Sequence, residues 1–513
     1  MKHLLFLFVA TIMASVALAQ NYQKDFEEFK KEQMAEYSQF KKDKQAEYDA
    51  YRKRINDEYA AFMEKHWEEF QGKQAVQPKK EPEVTPVIYE EPKVEPQPQE
   101  EPQEEPQEEP QEEPKVEPKE IPVQPEVVVV PTPEPAPEPI APVQPKEDKQ
   151  PLKRISISFY GTLVSVNFPD PDGFKLHSLD EKDLAAAWKQ LSDSEYDIVL
   201  ANLLSNRESL QLCDWGYLQL IQQITKKHYG TSNEATYMQA FLLTQSGYKV
   251  RLAKDDKSLY LLVASLYNIF HYSYFTIDGQ IYYALDCQSR QLQICPASVE
   301  KENALSLQIA KTQKLNEEQS DKRKLMSKKG ITASVCVNKN EIDFYNNYPG
   351  GYINDDVTTS WVSYANTPLN PQIQAQLYPT FEKIIKNMSQ KEAVNLILNW
   401  VQTALEYEYD DKVWGEERVF FAAETLYYPY CDCEDRSILF SRLVRDILHL
   451  PVILLYYPGH LATAVGFTED VQGDFLTYEN KKYVVCDPTY IGAPVGLTMP
   501  SMDNAQAKMI VLK

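Results

Sequence analysis

Aromatic residues recur at a fixed spacing near the start of the chain, between residues 20 and 75. One series repeats every 11 residues and a second follows it three residues later: Phe26, Tyr37, Tyr48, Tyr59 and Phe70, with Phe29, Phe40, Tyr51 and Phe62. An 11-residue period is typical of a straight or slightly right-handed coiled coil. The pattern predicts one long helix over residues 20–75. Since an exposed aromatic stripe requires a partner, it also predicts a homo-oligomer joined through this helix. A single solvated helix is the alternative.

The periodicity stops at residue 76, and residues 76–151 are rich in Pro, Glu, Val and Gln. Four tandem QEEP units span residues 99–114, and residues 81–150 contain 19 prolines. Such a composition cannot bury an apolar core. We therefore predict a disordered, extended spacer of polyproline type.

The remaining chain, residues 152–513, contains two stretches that resemble each other. Three pairs of segments match in order at an offset close to 200 residues: SEYDIVLANLL with QKEAVNLILNWV, NEATYMQAFLL with CEDRSILFSRL, and DGQIYYALD with NKKYVVCD. Ordered matches at a near-constant offset indicate an internal duplication. Each copy reads as helices followed by short strands. We predict the α+β class, with tandem domains at 152–300 and 330–513 joined by a connecting helix at 301–329.

The first 19 residues have the features of a secretory signal. Lys2 and His3 precede an apolar run, and Ala17, Leu18 and Ala19 fit the A-x-A cleavage pattern. We predict a signal peptide at residues 1–19 and a periplasmic or secreted protein, in which disulfides can form. No later segment reaches the roughly 18 apolar residues of a membrane span, so no transmembrane segment is predicted.

The net charge of −23 is concentrated in the spacer. Residues 81–150 contain 20 acidic residues against 5 lysines, a balance of −15. The rest of the chain is mildly acidic and has no basic stripe. Nucleic acid is therefore not a predicted partner.

Three residues in the second copy have the order expected of a nucleophile, its base and an orienting acid. Cys433 begins an amphipathic helix, His460 follows a Pro-Gly turn 27 residues later, and Asp487 closes a strand after another 27. A helix N-terminus favours thiolate over thiol, which predicts a low pKa for Cys433. A disulfide through Cys431 or Cys486 is an alternative. Zinc is disfavoured because the cysteines lack a CxxC spacing.

The motifs DCEDRSILFSRLVRDILHLPV, PGHLATAV and YVVCDPTY together resemble the transglutaminase-like (papain-like) superfamily of cysteine enzymes. The resemblance implies that Cys433 is the nucleophile and an oxyanion donor through its backbone N–H, His460 the general base and acid, and Asp487 the orienting acid. It implies acyl transfer on peptide or side-chain amides through a thioester, with hydrolysis favoured over cross-linking, on a peptide or protein substrate and with no cofactor.

The two acidic residues that follow Cys433 have an ordinary interpretation. Glu434 and Asp435 complement the dipole of the helix that they open. In some bacterial relatives of this superfamily an Asp-Cys-Glu triplet holds calcium, and Asp432, Cys433 and Glu434 match those letters. The sequence identifies no further carboxylate ligands, so no metal is predicted.

The first copy departs from the motif. Asn233 stands where the second copy has Cys433, Leu259 or Tyr260 stands where it has His460, and Asp286 matches the acid. An amide and an apolar side chain cannot form a thiolate–imidazolium pair. We predict that 152–300 is a degenerate transglutaminase-like domain. A non-catalytic envelope adaptor that uses this fold for protein binding is the alternative function.

Overall fold

The computed structural model describes residues 2–78, 84–90, 127–129, 135–143, 152–169, 174–287, 291–353, 355–502 and 506–512, without the side chains before residue 29. The helices of these residues are α1 Lys2–Met63, α2 Glu181–Asp193, α3 Asp197–Ser209, α4 Asp214–Tyr229, α5 Asn233–Gln245, α6 Lys339–Asn346, α7 Ser360–Asn366, α8 Pro371–Ile385, α9 Gln390–Ala404, α10 Asp410–Val413, α11 Ala422–Tyr427 and α12 Cys433–Leu443. A 3₁₀ turn, Val357–Thr359, precedes α7, and a π-helical turn, Val444–Leu448, continues α12.

The strands are short and most of them fall in two groups. They are β1 Glu68–Gln71, β2 Val127–Val129, β3 Lys153–Phe159, β4 Thr162–Phe168, β5 Val250–Lys254, β6 Leu259–Ala264, β7 Asn268–Ile269, β8 Tyr274–Ile277, β9 Gln280–Ala284, β10 Gln291–Ile294, β11 Arg323–Met326, β12 Thr332–Val335, β13 Gly351–Tyr352, β14 Glu406–Tyr407, β15 Tyr430–Cys431, β16 Val452–Tyr457, β17 His460–Val465, β18 Phe475–Tyr478, β19 Lys481–Cys486 and β20 Lys508–Val511.

Two six-stranded sheets with the same strand order form the centres of the two halves. The first sheet has the order β1-β10-β5-β6-β9-β8, and the second, read from the corresponding end, has the order β2-β20-β16-β17-β19-β18. The central pairs have the same register, because Val250 lies opposite Val263 and Val452 opposite Val465. The edges differ, since β1 is antiparallel to its neighbour and β2 is parallel. Helices that cover largely antiparallel sheets define the α+β class, which is confirmed.

The strands that carry the candidate site are buried on both faces. Every residue of β17 is buried. Leu461 and Val465 face the core shared with α12, whereas Ala462 and Ala464 belong to a second apolar cluster on the opposite face. A strand that is covered on both sides reads as a continuous apolar run, which is the pattern of these segments in the sequence.

The long N-terminal helix is present, but it ends at Met63 and not at residue 75. Residues 68–71 form β1, which pairs with β10 in the first sheet. The ring of Tyr59 stacks on that of Trp188 at 4.1 Å, and Trp67 is fully buried. Burial of each such side chain contributes about 1.5–3 kcal/mol, so the last turns of α1 belong to the first globular half.

The N-terminal part of the aromatic stripe remains exposed on the surface of α1. Phe29, Tyr37 and Phe40 are each more than half exposed, whereas Tyr59 at the lower end is buried. The rings of Phe29, Tyr37 and Phe40, together with that of Phe62 at 45% exposure, therefore remain for the predicted homo-oligomer.

Most of the predicted spacer at 76–151 lies outside the described residues. Residues 76–78 and three further short segments of it are described, and each of the three contacts a globular half. Val127–Val129 is the parallel edge strand of the second sheet. The N–H of Tyr89 donates to the carbonyl of Ile491 at 2.8 Å, and the N–H of Ile140 donates to that of Gln245 at 3.1 Å.

The prediction of a connecting helix at 301–329 is wrong. The segment is extended, and its only regular element within the described residues is β11. Leu305, Leu307 and Ile309 are buried at every second position, which is the period of a strand and not of a helix. The N–H of Leu305 donates to the carbonyl of Ala264 at 2.8 Å, so the segment adds backbone hydrogen bonds to the first half.

The signal peptide predicted at residues 1–19 lies where side chains are not described, and it stays a prediction. Among the described residues, no helix combines the length and the apolar content that a bilayer crossing requires.

Candidate functional site

Cys433 is the first residue of α12, as the sequence predicts. The turn is fixed by Asp435, whose Oδ1 accepts from the N–H of Phe420 at 2.8 Å and whose Oδ2 accepts from the N–H of Asp432 at 3.3 Å. Asp435 therefore has the structural role expected of an acidic residue in the first helical turn.

The imidazole of His460 is held by Asp487. His460 begins β17 directly after Gly459, which has φ 81° in the turn that leads out of β16. Its Nε2 lies 2.9 Å from Oδ2 of Asp487, and both side chains are buried. Oδ1 of Asp487 accepts from the N–H groups of Thr489 and Tyr490, which fixes the carboxylate at the end of β19.

This pairing leaves the second ring nitrogen of His460 for other chemistry. Nδ1 is buried and has no hydrogen-bond partner among the described residues. Because a carboxylate only accepts, Nε2 carries the proton and Nδ1 presents a lone pair.

Cys433 and His460 line the same small cavity of about 50 Å³. The helix is held against the strand by Ser437, whose Oγ donates to the carbonyl of Leu461 at 2.7 Å. The N–H of Leu461 in turn hydrogen-bonds the thiol of Cys433. The fold thus brings together all three residues that the sequence singles out.

The prediction of a low thiol pKa is wrong for the arrangement described. Burial, followed by the charges of Glu434 and Asp432, raises the pKa of Cys433 well above its ordinary value. The thiol lies 3.1 Å from Oε2 of Glu434. A helix N-terminus offers about half a positive charge, which two neighbouring carboxylates outweigh. Glu434 therefore does more than complement the helix dipole.

Four carboxylates converge beside the thiol. One oxygen from each of Asp410, Glu417, Asp432 and Glu434 lies within 4.8 Å of the others. Burial and the charge of Glu434 raise the pKa of Asp410 to about 8. Oδ1 of Asp432 is buried and has no partner among the described residues. Oxygen atoms in this number and spacing could hold a hard divalent cation such as calcium.

Sequence reasoning missed the two ligands from outside the Asp-Cys-Glu triplet. Asp410 begins α10 and Glu417 follows it, and neither belongs to a recognisable motif. A cluster of acidic residues in DDKVWGEE was the one local signal. Trp414, within this segment, packs edge-on against Phe420 and Tyr428, which is the packing role that its residue type suggests.

Gln402 is a second residue that the sequence did not single out. Its Nε2 lies within 3.0 Å of the carbonyls of Asp487, Tyr490 and Ala493, and its Oε1 accepts from the N–H of Gly492. This buried amide on α9 fixes the loop that positions the acid. A polar residue on an apolar helix face was its only signal.

An extended segment, residues 84–90, lies along the site. Val84 lines the cavity of Cys433. The N–H of Ile491 donates to the carbonyl of Val87 at 2.9 Å, and Tyr89 packs edge-on against Tyr490. One side of the cavity is therefore formed by a segment of the predicted spacer.

In the first half, Asn233 stands at the position of Cys433, and its side chain is engaged in hydrogen bonds with the backbone. Oδ1 of Asn233 accepts from the N–H of Leu259 at 2.8 Å, and its Nδ2 donates to the carbonyl of Lys257 at 3.1 Å. Sheet register makes Leu259 the equivalent of Leu461, because each lies four residues before the valine that pairs at the far end of its hairpin. Ser258 therefore occupies the His460 position, and the prediction of Leu259 or Tyr260 is wrong. Asp286 is 57% exposed at its side chain.

All seven cysteines are free, so the alternative of a disulfide through Cys431 or Cys486 is not realised in this structure.

No protein-family model matches the chain, and neither a curated protein nor a solved structure matches it.

Proposed function

We propose that the chain is an exported cysteine-dependent acyl-transfer enzyme of the transglutaminase-like class, which acts on peptide or side-chain amides. One observation supports this most strongly: the buried pair of His460 and Asp487 leaves Nδ1 of the imidazole without a partner in a cavity shared with Cys433. Most buried polar side-chain atoms in folded proteins have a hydrogen-bond partner, so a buried ring nitrogen without one marks a candidate functional group. Hydrolysis is favoured over transfer to an amine by the family resemblance.

The proposed reaction has two steps. Nδ1 of His460 takes the thiol proton of Cys433, and the thiolate attacks the amide carbon, while the backbone N–H of Cys433 donates to the oxyanion. The imidazolium then gives its proton to the leaving amine, which leaves a thioester. In the second step His460 deprotonates a water molecule that attacks the thioester, and the thiol leaves with the returned proton. Asp487 keeps the ring oriented and stabilises its charged form.

The carboxylate cluster fits a divalent cation such as calcium, and Asp410, Glu417, Asp432 and Glu434 would hold it. The unpartnered, buried Oδ1 of Asp432 supports this fit. When bound, the cation would supply positive charge that lowers the thiol pKa. The proton transfers at Cys433 remain the task of His460.

We also propose that the two halves are tandem transglutaminase-like domains and that the first is degenerate. The identical strand order and the matching central register support a duplication. In the first half Asn233 and Ser258 replace the thiol and the imidazole. This half would then serve packing or substrate capture and not catalysis.

The proposal is tested by labelling the full chain with a peptidyl vinyl sulfone, which forms a thioether with an activated cysteine. We expect one adduct by intact mass, which is lost in Cys433→Ala and strongly slowed in His460→Ala. Cys336→Ala is the matched control, since Cys336 is a partly buried cysteine outside the cavity. Unchanged labelling of Cys433→Ala would overturn the assignment.

A second candidate, the non-catalytic adaptor, is favoured by the raised pKa of the thiol. The pH dependence of the alkylation of Cys433 by iodoacetamide, measured in EDTA and in calcium, distinguishes the enzyme from the adaptor. A thiol pKa below the ordinary value of about 8.5 in calcium supports the enzyme. A value above it in both buffers supports the adaptor.

A further inference from the structure

A second, larger cavity of about 440 Å³ lies between the two halves and adjoins the cavity of Cys433. Trp361 and Glu417 line both cavities. The volume falls in the range typical of small-ligand pockets. A substrate with its amide at Cys433 could therefore extend a neighbouring group into this cavity.

Aromatic rings from both halves form its walls: Phe270, Tyr272, Tyr345, Tyr348, Tyr364 and Phe421. The walls are firmly packed. The rings of Tyr345 and Phe421 stack at 4.1 Å, and those of Tyr364 and Phe421 at 4.4 Å. The short strands β7 and β13 pair beside the cavity, which joins the halves through backbone hydrogen bonds. The cavity is thus a built feature of the fold.

Acidic side chains outnumber basic ones among the described residues that line it. Glu416, Glu417 and Glu424 are the acidic residues, and Arg418 is the basic residue. Arg418 is already engaged, since it lies 2.8 Å from Oε1 of Glu424 and 2.6 Å from Oδ1 of Asn346. No second Lys or Arg lines the cavity among the described residues.

Aromatic rings together with a majority of acidic over basic side chains suit a cation. The electron-rich face of a ring attracts an ammonium or guanidinium group within about 6 Å, most strongly where water is excluded. An acidic side chain would meet like charge here.

We propose that this cavity is the subsite for a basic side chain, Lys or Arg, of the peptide substrate, adjacent to the amide that is attacked at Cys433. This inference rests on the proposed function, because it assigns the substrate of the same site. Glu416 is the most suitable residue for its test, since it is exposed and lies outside the catalytic groups and the carboxylate cluster.

The test measures binding and not turnover. Fluorescein-labelled pentapeptides with a central Lys or norleucine are titrated with full-length Cys433→Ala protein, and anisotropy is recorded. We expect the Lys peptide to bind at least about 5-fold more tightly than the norleucine peptide. The preference should fall in Glu416→Gln and vanish in Glu416→Lys. It should persist in Glu382→Lys, a matched charge reversal at an exposed residue outside both cavities.

Equal binding of the two peptides, tighter binding of norleucine, or a Lys preference that survives Glu416→Lys would each overturn the subsite. The outcome is independent of catalysis. A Lys preference in a protein whose Cys433 is never labelled would support the subsite and contradict the proposed enzyme function. Labelling at Cys433 without any Lys preference would support the enzyme function and contradict the subsite.

Discussion

Replacing Asp410 by Asn should stabilise the protein at alkaline pH and leave it nearly unchanged at acidic pH. The side chain of Asp410 is buried, and its Oδ2 accepts from the N–H of Arg418 at 2.6 Å. Burial and then the charge of Glu434 raise its pKa to about 8. Asn is nearly isosteric, can accept the same hydrogen bond through its Oδ1, and never ionises.

The sign follows from the two pKa values of this carboxyl. In the unfolded chain it is about 3.8 and in the fold about 8, so the folded state holds the proton more tightly. Its contribution to stability is complete below pH 4 and is lost as the pH rises through 8. The difference between the two pKa values corresponds to at most about 6 kcal/mol, and neighbouring carboxyls that titrate with Asp410 reduce the share of this one residue.

We therefore expect Asp410→Asn to raise the free energy of unfolding by about 2–5 kcal/mol at pH 8.5 in EDTA. At roughly 2–4 °C per kcal/mol, the Tm should rise by about 5–15 °C. At pH 5 the two proteins should melt within a few degrees of each other. Thermal unfolding followed by circular dichroism at both pH values measures the effect, with the exposed Asp343→Asn as the control. A change in Tm that is equal at the two pH values would refute the interpretation that burial of Asp410 raises the pKa of its carboxyl.

The remaining predictions concern the cation, the catalytic pair, the covering segment and the long helix. Calcium at millimolar concentration should raise the Tm at pH 8, and Asp432→Asn should remove most of that increase, whereas an equal increase in both proteins would exclude the cluster. Asp487→Asn should slow vinyl sulfone labelling by about 10²–10⁴-fold without unfolding the protein, since the imidazole loses its acceptor. Tyr89→Ala should speed alkylation of the candidate thiol by a bulky maleimide but not by iodoacetamide. Residues 20–63 alone, which stop where α1 ends, should be helical and oligomeric by sedimentation, and Tyr37→Ser with Tyr48→Ser should dissociate them.

Local patterns predicted much of the second half. The apolar run before Gly459, the helix that opens at Cys433 and the strand that ends at Asp487 are all present where the sequence predicts them. These features depend on neighbours in the chain, such as a cap, a Pro-Gly turn and strand burial. The three candidate residues follow from them because each closes or opens one of these elements.

Features that depend on distant contacts were missed. The carboxylates of Asp410 and Glu417 meet those of Asp432 and Glu434 only after α10 has folded against α12, and no periodicity records that approach. The segment 301–329, predicted to be a helix, is extended instead. Its buried alternate positions, such as Leu305, are stabilised by pairing with the first sheet.

The two halves differ in how the equivalent helix is joined to its sheet, and this difference is consistent with the proposal that only the second half is catalytic. In the first half the amide of Asn233 makes both hydrogen bonds to the neighbouring strand, so the position is satisfied and serves the fold. In the second half Ser437 makes that connection one turn further along α12, which frees Cys433 from a structural role. The unpartnered atoms beside it, Nδ1 of His460 and Oδ1 of Asp432, cost stability where they lie. Proteins tolerate such local costs mainly at functional sites, where a substrate or an ion supplies the missing partner. At the equivalent position the first half carries a hydrogen-bonded amide without that cost, as expected if it is a copy that has lost catalysis.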